Sequence, residues 1–523
     1  MTAMRVVEAG RDRAVVVGAA LLAAGFIVLA FAWVGANPPG ASPDENAHVV
    51  KAYATGEGDM DGQPYDADLS GVDSRSAAWF REVGRSYPVP AAVVPPQSIR
   101  CFAFDRNLTA DCQHFDDSVD QGGDVLAATH FGTYSPALYV PIGLAMRDSR
   151  DYQTAEWRGR LMVVALCAIF VSWSALLLSR RGTGWLPLAG LAMAMTPLVV
   201  FASASVTTSG IEITSAICLW SALLRITRQP GSSRGAPWVA AAVSGGVMAL
   251  SRPVDAVLIA VVVLTIAVLA GWGTFRSVIA SSRRPALVLG GVLVGTAGLS
   301  ALWSIFVTPH PPLDLGVAAR SLGEIVRDLP NQVRQAIGIF GWNDTPMPQA
   351  TYVVVLLVLA ALLVVALRVA ARRERLALGG LALAILTIHL GLGALVEAQI
   401  GFGMQARYVL PLVVGVPLIA ADLIETHRAA LSPRLIRFGT IVMFVTAAAV
   451  QSVAFTANVH RYAVGANSGW IVPWDSRWAP DGGFTRWFSL AAIGVVLMLT
   501  PAIAMILGGR TGPGQRDLQR VSS

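Results

Sequence analysis

Two adjacent carboxylates and a histidine follow the first long apolar run of the chain. They are Asp44, Glu45 and His48, and Pro43 precedes them. Carboxylates and histidine perform most acid–base chemistry in proteins. If a helix begins after Pro43, Asp44 and His48 lie on one face of it, within reach of a substrate at a membrane surface. The structural alternative is helix capping, with Ser42 or Asp44 at the N-cap.

Two arginines stand at the ends of other apolar runs, where a charged group usually needs a partner. Arg252 lies in a Ser-Arg-Pro sequence, and Arg407 lies between Gln405 and Tyr408 in a Gln-Ala-Arg-Tyr sequence. The planar guanidinium group fits the oxygens of a phosphate. The pair could therefore hold an anionic lipid phosphate. The alternative is that both side chains extend to lipid head groups.

Two further segments combine polar and aromatic residues. Trp342 and Asp344 belong to a Gly-Trp-Asn-Asp sequence, and His130, Tyr134 and Tyr139 belong to an earlier one. Each has a simpler interpretation, namely a turn or an aromatic anchor at the membrane interface.

The composition identifies the kind of protein that positions these residues. Of 523 residues, 54% are hydrophobic and only 14% are charged, which is too apolar for ordinary soluble domains. Uncharged runs such as 14–34 and 286–307 are long enough to cross a bilayer. The net charge of +6 comes from arginines between such runs, and Lys51 is the only lysine. No basic patch for nucleic acid is present.

The apolar runs predict an all-α polytopic membrane protein with about 12 transmembrane helices. The predicted spans are 14–34, 160–179, 185–204, 207–225, 237–251, 254–272, 286–307, 351–370, 376–396, 406–422, 436–456 and 486–507. Every second connection, counted from the N-terminus, carries arginine. The positive-inside rule therefore predicts that both termini are cytoplasmic, in a plasma (inner) membrane.

This topology divides the chain into seven parts. They are 1–34 (cytoplasmic N-terminus and first helix), 35–159 (extracytoplasmic loop with the acidic motif), 160–307 (helices 2–7), 308–350 (extracytoplasmic loop), 351–456 (helices 8–11), 457–485 (extracytoplasmic loop) and 486–523 (last helix and cytoplasmic tail). All five motifs fall on the extracytoplasmic side, although the topology was derived from the arginines in the loops alone. We therefore expect one extracytoplasmic site.

The four cysteines divide into two groups. Cys167 and Cys218 lie within predicted spans, where packing is their expected role. Cys101 and Cys112 lie in the first outer loop, an oxidising environment in which a disulfide between them is expected. In the chain-entropy model such a bond would contribute roughly 2–3 kcal/mol.

The order of these parts resembles the GT-C superfamily of membrane glycosyltransferases, which use polyprenyl-phosphate sugars. More closely, the chain resembles an uncharacterised bacterial family of predicted membrane proteins, domain of unknown function 2142. The motifs that carry the resemblance are Pro43-Asp44-Glu45 with His48, Tyr134-Ser135-Pro136-Ala137-Leu138-Tyr139, Ser251-Arg252-Pro253, Gly341-Trp342-Asn343-Asp344 and Gln405 to Pro411. The chain departs from that family at Ala406, often glycine, and at Thr207–Gly210, which lacks an acid.

The resemblance implies an inverting, GT-C-type glycosyltransferase of the cell envelope. Its donor would be a polyprenyl-phosphate sugar, and its acceptor an envelope glycan, lipid or protein. Asp44 or Glu45 would act as the base, and a divalent cation held by Asp44, Glu45 and His48 is an alternative use of these residues. The implied donor-binding residues are Arg252, Arg407, Tyr408 and Gln405, and the implied substrate-binding residues are His48, His130, Tyr134, Tyr139, Trp342 and Asp344.

Two other classes of function stay open at the level of the sequence. A lipid or polysaccharide transporter would need intramembrane acids, of which Glu212 and Asp255 are the chief examples. The chain has no Walker-type phosphate loop, which makes an ATP-driven pump improbable. The third class is a non-catalytic envelope assembly protein whose outer loop binds partners.

Overall fold

A computed structural model of the chain describes residues 2–72, 74–115, 123–179, 182–229, 235–308, 314–400, 405–469 and 476–508. Within these ranges the helices are α1 (Thr2–Ala36), α2 (Glu45–Glu57), α3 (Ser74–Val83), α4 (Tyr139–Met146), α5 (Tyr152–Leu178), α6 (Leu186–Ala194), α7 (Pro197–Ser203), α8 (Thr208–Arg228), α9 (Ala236–Ser251), α10 (Asp255–Ala270), α11 (Trp272–Ser281), α12 (Arg283–Val307), α13 (Leu315–Gly338), α14 (Gln349–Val369), α15 (Arg372–Ile400), α16 (Leu410–Val413), α17 (Gly415–Thr426), α18 (Pro433–Val464) and α19 (Gly483–Gly508). The strands are β1 (Gln63–Pro64), β2 (Arg85–Pro90), β3 (Asp124–Thr129), β4 (Ile339–Phe340) and β5 (Thr345–Pro346).

The chain is a polytopic, helical membrane protein. Among the described residues, eight helices are long and apolar enough to cross a bilayer, namely α1, α5, α8, α12, α14, α15, α18 and α19. Two bent pairs, α6 with α7 and α10 with α11, raise the number to ten if each pair is one span. Helix α8 lies at the centre, since all of its residues except Arg225 and Arg228 are buried.

Each of the twelve predicted spans coincides with helical structure, but some of these helices are too short to cross a bilayer on their own. The span predicted at 185–204 is broken, because Pro197 begins a new helix that is bent by 64° from α6. The spans predicted at 237–251 and 406–422 correspond to α9, with 16 residues, and to the short helices α16 and α17. The total of twelve therefore stays a prediction.

Labelling of introduced cysteines tests the predicted topology. In a variant without the native cysteines, a cysteine at Ser232 or Gly514 should be protected from an impermeant thiol reagent in intact cells. A cysteine at Gly62 should react, because the positive-inside rule places it outside. Ser232 and Gly514 lie beyond the described residues. Labelling at Ser232 without permeabilisation would contradict the twelve-span arrangement.

The predicted loop 35–159 contains a small sheet in addition to short helices. Strand β2 pairs antiparallel with β3 from Arg85–Thr129 to Pro90–Asp124, and the short β1 pairs with the other edge of β2. Pro88 and Pro90 of β2 lie beyond the end of β1. Since proline cannot donate a ladder hydrogen bond, its place on an unpaired edge is the expected one.

The predicted loop 35–159 also contacts the membrane helices, through a segment that contains a disulfide. Cys101 and Cys112 are joined by a disulfide with their Cα atoms 6.1 Å apart. The adjacent backbone is held by Arg461, a buried residue near the end of α18. Its guanidinium donates to the carbonyl oxygens of Phe102, at 2.8 Å, and Asp105, at 3.0 Å. The disulfide-bonded segment is thereby fixed over the C-terminal end of α18.

Helix α2, which carries Asp44 at its start, is packed tightly against α4. The two helices cross at Gly56 and Gly143, and a Cβ atom added to either glycine would overlap the backbone of the other helix. Helix α4 is apolar but only 8 residues long, and it supports α2 by this close contact.

Candidate functional site

Asp44 occupies the N-cap position of α2, but its carboxylate does not cap the helix. The residue has φ 63° and ψ 7°, and its side chain makes no capping hydrogen bond. The carboxylate instead faces His130, with Oδ1 3.5 Å from Nε2, and Arg407, with Oδ2 3.8 Å from Nη2. A left-handed conformation is uncommon outside glycine and is often found at functional sites. The capping interpretation of Asp44 is therefore not supported.

The electrostatic surroundings keep Asp44 ionised. Burial by itself would raise the pKa of the carboxyl, but the hydrogen bond and charge of His130, with the charge of Arg407, lower the pKa to about 2. The side chain is nevertheless 28% exposed. Asp44 is thus a charged group that a ligand could reach.

His48 lies one turn further along α2 than Asp44 and supports the site from within the protein. Its Nδ1 is 2.7 Å from the hydroxyl of Tyr139, and its ring stacks on Phe131 with centroids 3.8 Å apart. Burial lowers the pKa of His48 well below its usual value, and the charge of Asp44 only partly offsets this effect. His48 is therefore neutral and supports the segment that carries His130.

The segment from Thr129 to Tyr134 is fixed at several points. The hydroxyl of Thr129 donates to the carbonyl of Ala47 in α2, at 2.8 Å. The indole of Trp303, from α12, donates to the carbonyl of Thr133, also at 2.8 Å. The ring of Tyr134 meets Phe131 edge-on, with centroids 4.8 Å apart. His130 thus reaches Asp44 from a well-anchored turn.

The two predicted arginines flank one aromatic ring. The guanidinium carbon of Arg252 is 4.3 Å from the ring centroid of Tyr408, and that of Arg407 is 5.7 Å from it. Arg252 also donates to the hydroxyl of Ser209, at 2.9 Å, and lies 3.2 Å from a carboxylate oxygen of Glu212. Each arginine side chain is 11% exposed. The structure therefore brings both guanidinium groups to the site of Asp44.

Gln405 lies beside Arg407 on a small cavity. The cavity has a volume of about 20 Å³, and Ser42, Pro43 and Asn343 also line it. The backbone of the neighbouring residue, Ala406, donates to the side chain of Gln335 at 3.3 Å. This contact fixes the turn that carries Gln405, Arg407 and Tyr408.

Glu45 does not share this site, which corrects the expectation that it could act in place of Asp44. The residue is fully buried, and its two carboxylate oxygens accept hydrogen bonds from Arg160 at 2.9 and 2.7 Å. The backbone N–H of Val206 donates to it as well, at 2.7 Å. Through these hydrogen bonds, Glu45 joins α2 to α5 and to the turn before α8.

Trp342 and Asp344 also have structural partners, contrary to the expectation that they contact substrate. The indole of Trp342 donates to the carbonyl of Gly40 at 3.2 Å, and Asp344 pairs with Arg461 at 3.0 Å. Both residues are nearly buried, and they hold the loop before α14 against the first outer loop.

The proposed ligands for a divalent cation are not arranged as a chelating set. Glu45 is bonded to Arg160, and His48 is bonded to Tyr139 through Nδ1. Only Asp44 faces the site. Among the residues that the structure describes, no group of three or more His, Cys, Asp or Glu side chains is placed to hold a metal ion.

Several residues that complete the site were not selected from the sequence. Ser209 and Glu212 hold Arg252, and Arg160 holds Glu45. Two patterns could have indicated them. Glu212 is an acid within an apolar span, and Glu156 precedes Arg160 by four residues at the start of α5.

A larger crevice lies on the other side of the Glu45–Arg160 pair. Its volume is about 1100 Å³, and its walls include Trp157, Trp478 and Arg160. Within the described part of the chain, none of the predicted site residues lines it. The crevice is therefore distinct from the site around Asp44.

Comparisons with known proteins give a family but no assigned activity. No curated protein matches the chain. A solved structure with some similarity is ArnT from Cupriavidus metallidurans bound to undecaprenyl phosphate, with 14% identity, a TM-score of 0.43, and coverage of 94% of this chain and 77% of that chain. A likeness of this degree establishes no activity. Residues 26–416, well over half of the chain, match the family described as predicted membrane protein (DUF2142). The chain therefore belongs to the DUF2142 family of predicted membrane proteins.

Proposed function

We propose that the protein is a membrane glycosyltransferase that transfers a sugar from a polyprenyl-phosphate donor to an acceptor hydroxyl at the extracytoplasmic face. The observation that carries the proposal is the orientation of Asp44. Asp44 occupies the N-cap position with a left-handed backbone, but its carboxylate does not cap the helix. The carboxylate instead faces His130 and Arg407. Such a costly conformation is expected where a reactive group must be presented. The acceptor would be an envelope glycan, lipid or protein.

The proposed reaction is a direct displacement at the anomeric carbon. The acceptor oxygen bonds to C1 of the sugar as the bond between C1 and the phosphate oxygen breaks, which inverts the anomeric centre. The proton of the acceptor hydroxyl passes to Asp44. Because a carboxylate with a pKa of about 2 holds a proton weakly, and because the side chain of Asp44 is 28% exposed, the proton passes on to solvent. The lipid phosphate leaves as an anion.

The leaving group needs positive charge more than it needs a proton. Arg252 and Arg407 supply two guanidinium groups near the ring of Tyr408, and a guanidinium group can bind two phosphate oxygens at once. Ser209 and Glu212 keep Arg252 in place when no phosphate is bound. Preorganised charges of this kind stabilise the transition state without reorganisation. In this proposal no step depends on a bound metal ion.

Substitution of Arg407 by lysine tests the phosphate role. Lysine keeps the charge but loses the planar, two-donor geometry, so the KM for a polyprenyl-phosphate sugar should rise by about tenfold, equivalent to roughly 1.4 kcal/mol. The measurement is sugar transfer by the purified protein in proteoliposomes. Arg276→Lys is the matched control, since Arg276 is exposed and also lies over an aromatic ring, that of Trp272. Equal KM values for both variants would argue against a phosphate at Arg407.

A transporter for a lipid-linked saccharide is the second candidate. Glu212 and Asp255 are fully buried acids within α8 and α10, and buried intramembrane acids often mark transport pathways. Glu212, however, is engaged with Arg252 at the same site. Movement of the lipid-linked sugar across the proteoliposome membrane, without transfer to any acceptor, would favour this candidate.

A further inference from the structure

Lys51, the only lysine of the chain, is fully buried at the back of the candidate site. Its ammonium group donates to the hydroxyl of Tyr87 at 2.8 Å, and to the carbonyl oxygens of Gly132 at 2.9 Å and Met60 at 3.0 Å. An ammonium group has three donors, and all three are used. The partners come from β2, from the turn after His130 and from the segment after α2.

These bonds connect the two halves of the acid–base pair. Asp44 stands at the start of α2, and Lys51 lies about two turns further along the same helix. Gly132 follows His130 by two residues, and its carbonyl accepts a second hydrogen bond from Tyr87, at 3.2 Å. The ammonium group therefore fixes the backbone that carries His130 to the helix that carries Asp44.

We propose that Lys51 is a positioning residue that holds His130 within reach of Asp44. This inference rests on the proposed function, because the position of His130 beside Asp44 affects turnover only if Asp44 accepts the proton of the acceptor. Lys51 would then contribute to turnover although its side chain does not face the substrate. The role requires an ammonium group, since three acceptors from three segments converge on it, and an apolar side chain could bond to none of them.

Burying the ammonium group of Lys51 is energetically unfavourable, which is expected only where the charged group has a role. Burial lowers the pKa of its ammonium group to about 8, although the charges of Asp59 and Asp61 act in the opposite direction. A buried charge is costly unless its donors are paired, and all three donors of Lys51 have partners.

The test compares two buried cations, Lys51 on α2 and Arg461 on α18, and the second also pairs with Asp344. Lys51→Met keeps the length of the side chain but removes all three donors. Arg461→Met removes a buried cation that binds the carbonyls of Phe102 and Asp105, away from His130. We expect kcat to fall by about 10–100-fold in Lys51→Met, as is typical of small misplacements, with an unchanged donor KM. At equal thermal stability, Arg461→Met should keep a near-normal kcat.

A double-mutant cycle with His130→Gln separates positioning from general destabilisation. If Lys51 acts through His130, Lys51→Met should lower kcat very little in the His130→Gln background. Equal effects of Lys51→Met in both backgrounds would overturn the inference.

Hydrogen exchange provides a readout that does not depend on activity. Lys51→Met should increase amide exchange at residues 130–134, whereas Arg461→Met should increase it at 101–112. Unchanged exchange at 130–134 would overturn the inference even if the proposed function is correct. If the wild-type protein transfers no sugar, the proposed function fails, and the exchange measurement still decides whether Lys51 fixes this segment.

Discussion

Substitution of Asp44 by asparagine is expected to lower sugar transfer by about 10²–10⁴-fold, the range typical for the loss of a general base. Asparagine has the same size, and it tolerates the left-handed conformation that Asp44 adopts. Since the carboxylate makes no capping hydrogen bond, no cap is lost. Expression and thermal stability should therefore change little, and the effect should appear in kcat.

The control for this prediction lies on the same helix. Glu57→Gln neutralises a half-exposed carboxylate at the end of α2, 3.6 Å from Arg147, and should leave transfer unchanged. Both variants are measured in proteoliposomes with a polyprenyl-phosphate sugar. Full activity of Asp44→Asn would show that the acidic motif is only the beginning of a helix.

The low pKa of Asp44 also predicts the pH dependence. A carboxyl whose pKa is lowered to about 2 is ionised above that pH, so its ability to accept a proton is lost only as the pH falls towards 2. A decrease of kcat between pH 7 and pH 5 must then arise from another group. An acidic limb of kcat near the pKa of an ordinary aspartate, about 4, would contradict this assignment.

The sequence predicted that several of these residues lie on a common side of the membrane, but it did not predict their contacts. Asp44, Arg252 and Arg407 were placed on one side because arginines in alternate loops give the orientation. That reasoning contains no distance, and residues 44 and 407 are far apart in the chain. Their approach depends on the packing of α2, the turn before α16 and the anchored segment at His130, none of which has a local sequence signature.

Asp44 and Glu45 show why the spacing of residues in the sequence was not enough to predict the members of the site. Asp44 is the N-cap residue with a left-handed backbone, and Glu45 is the first residue of α2, so adjacent positions in the sequence give no information on where each carboxylate points. Which of them faces inward depends on Arg160, a partner 115 residues away. The partners of Trp342 and Asp344 were likewise not apparent from the sequence, since Asp344 pairs with Arg461 on α18.

Substitution of Arg160 by methionine is expected to have the largest effect on stability. The guanidinium lies 3.4 Å from Glu156 and donates to Glu45 and to the carbonyls of Asn37, at 3.1 Å, and Pro38, at 2.9 Å. Methionine fills similar space but leaves two buried carboxyls and the backbone acceptors without this donor. Loss of one partner of a buried ion pair costs about 3–5 kcal/mol, so the thermal midpoint in detergent should fall markedly.

The matched control is Arg158→Met, two residues earlier on α5, because Arg158 is exposed and donates mainly to the carbonyl of Arg147. Exposed arginines of this kind contribute about 0–1 kcal/mol, so its thermal midpoint should stay near that of the wild type. Adding Glu45→Gln to Arg160→Met should recover part of the loss, since it removes one of the uncompensated acids. Equal midpoints for Arg158→Met and Arg160→Met would show that the Glu45 network does not hold α2 against α5. The orientation of Asp44 would then have to come from the contacts of His130 and Arg407 alone.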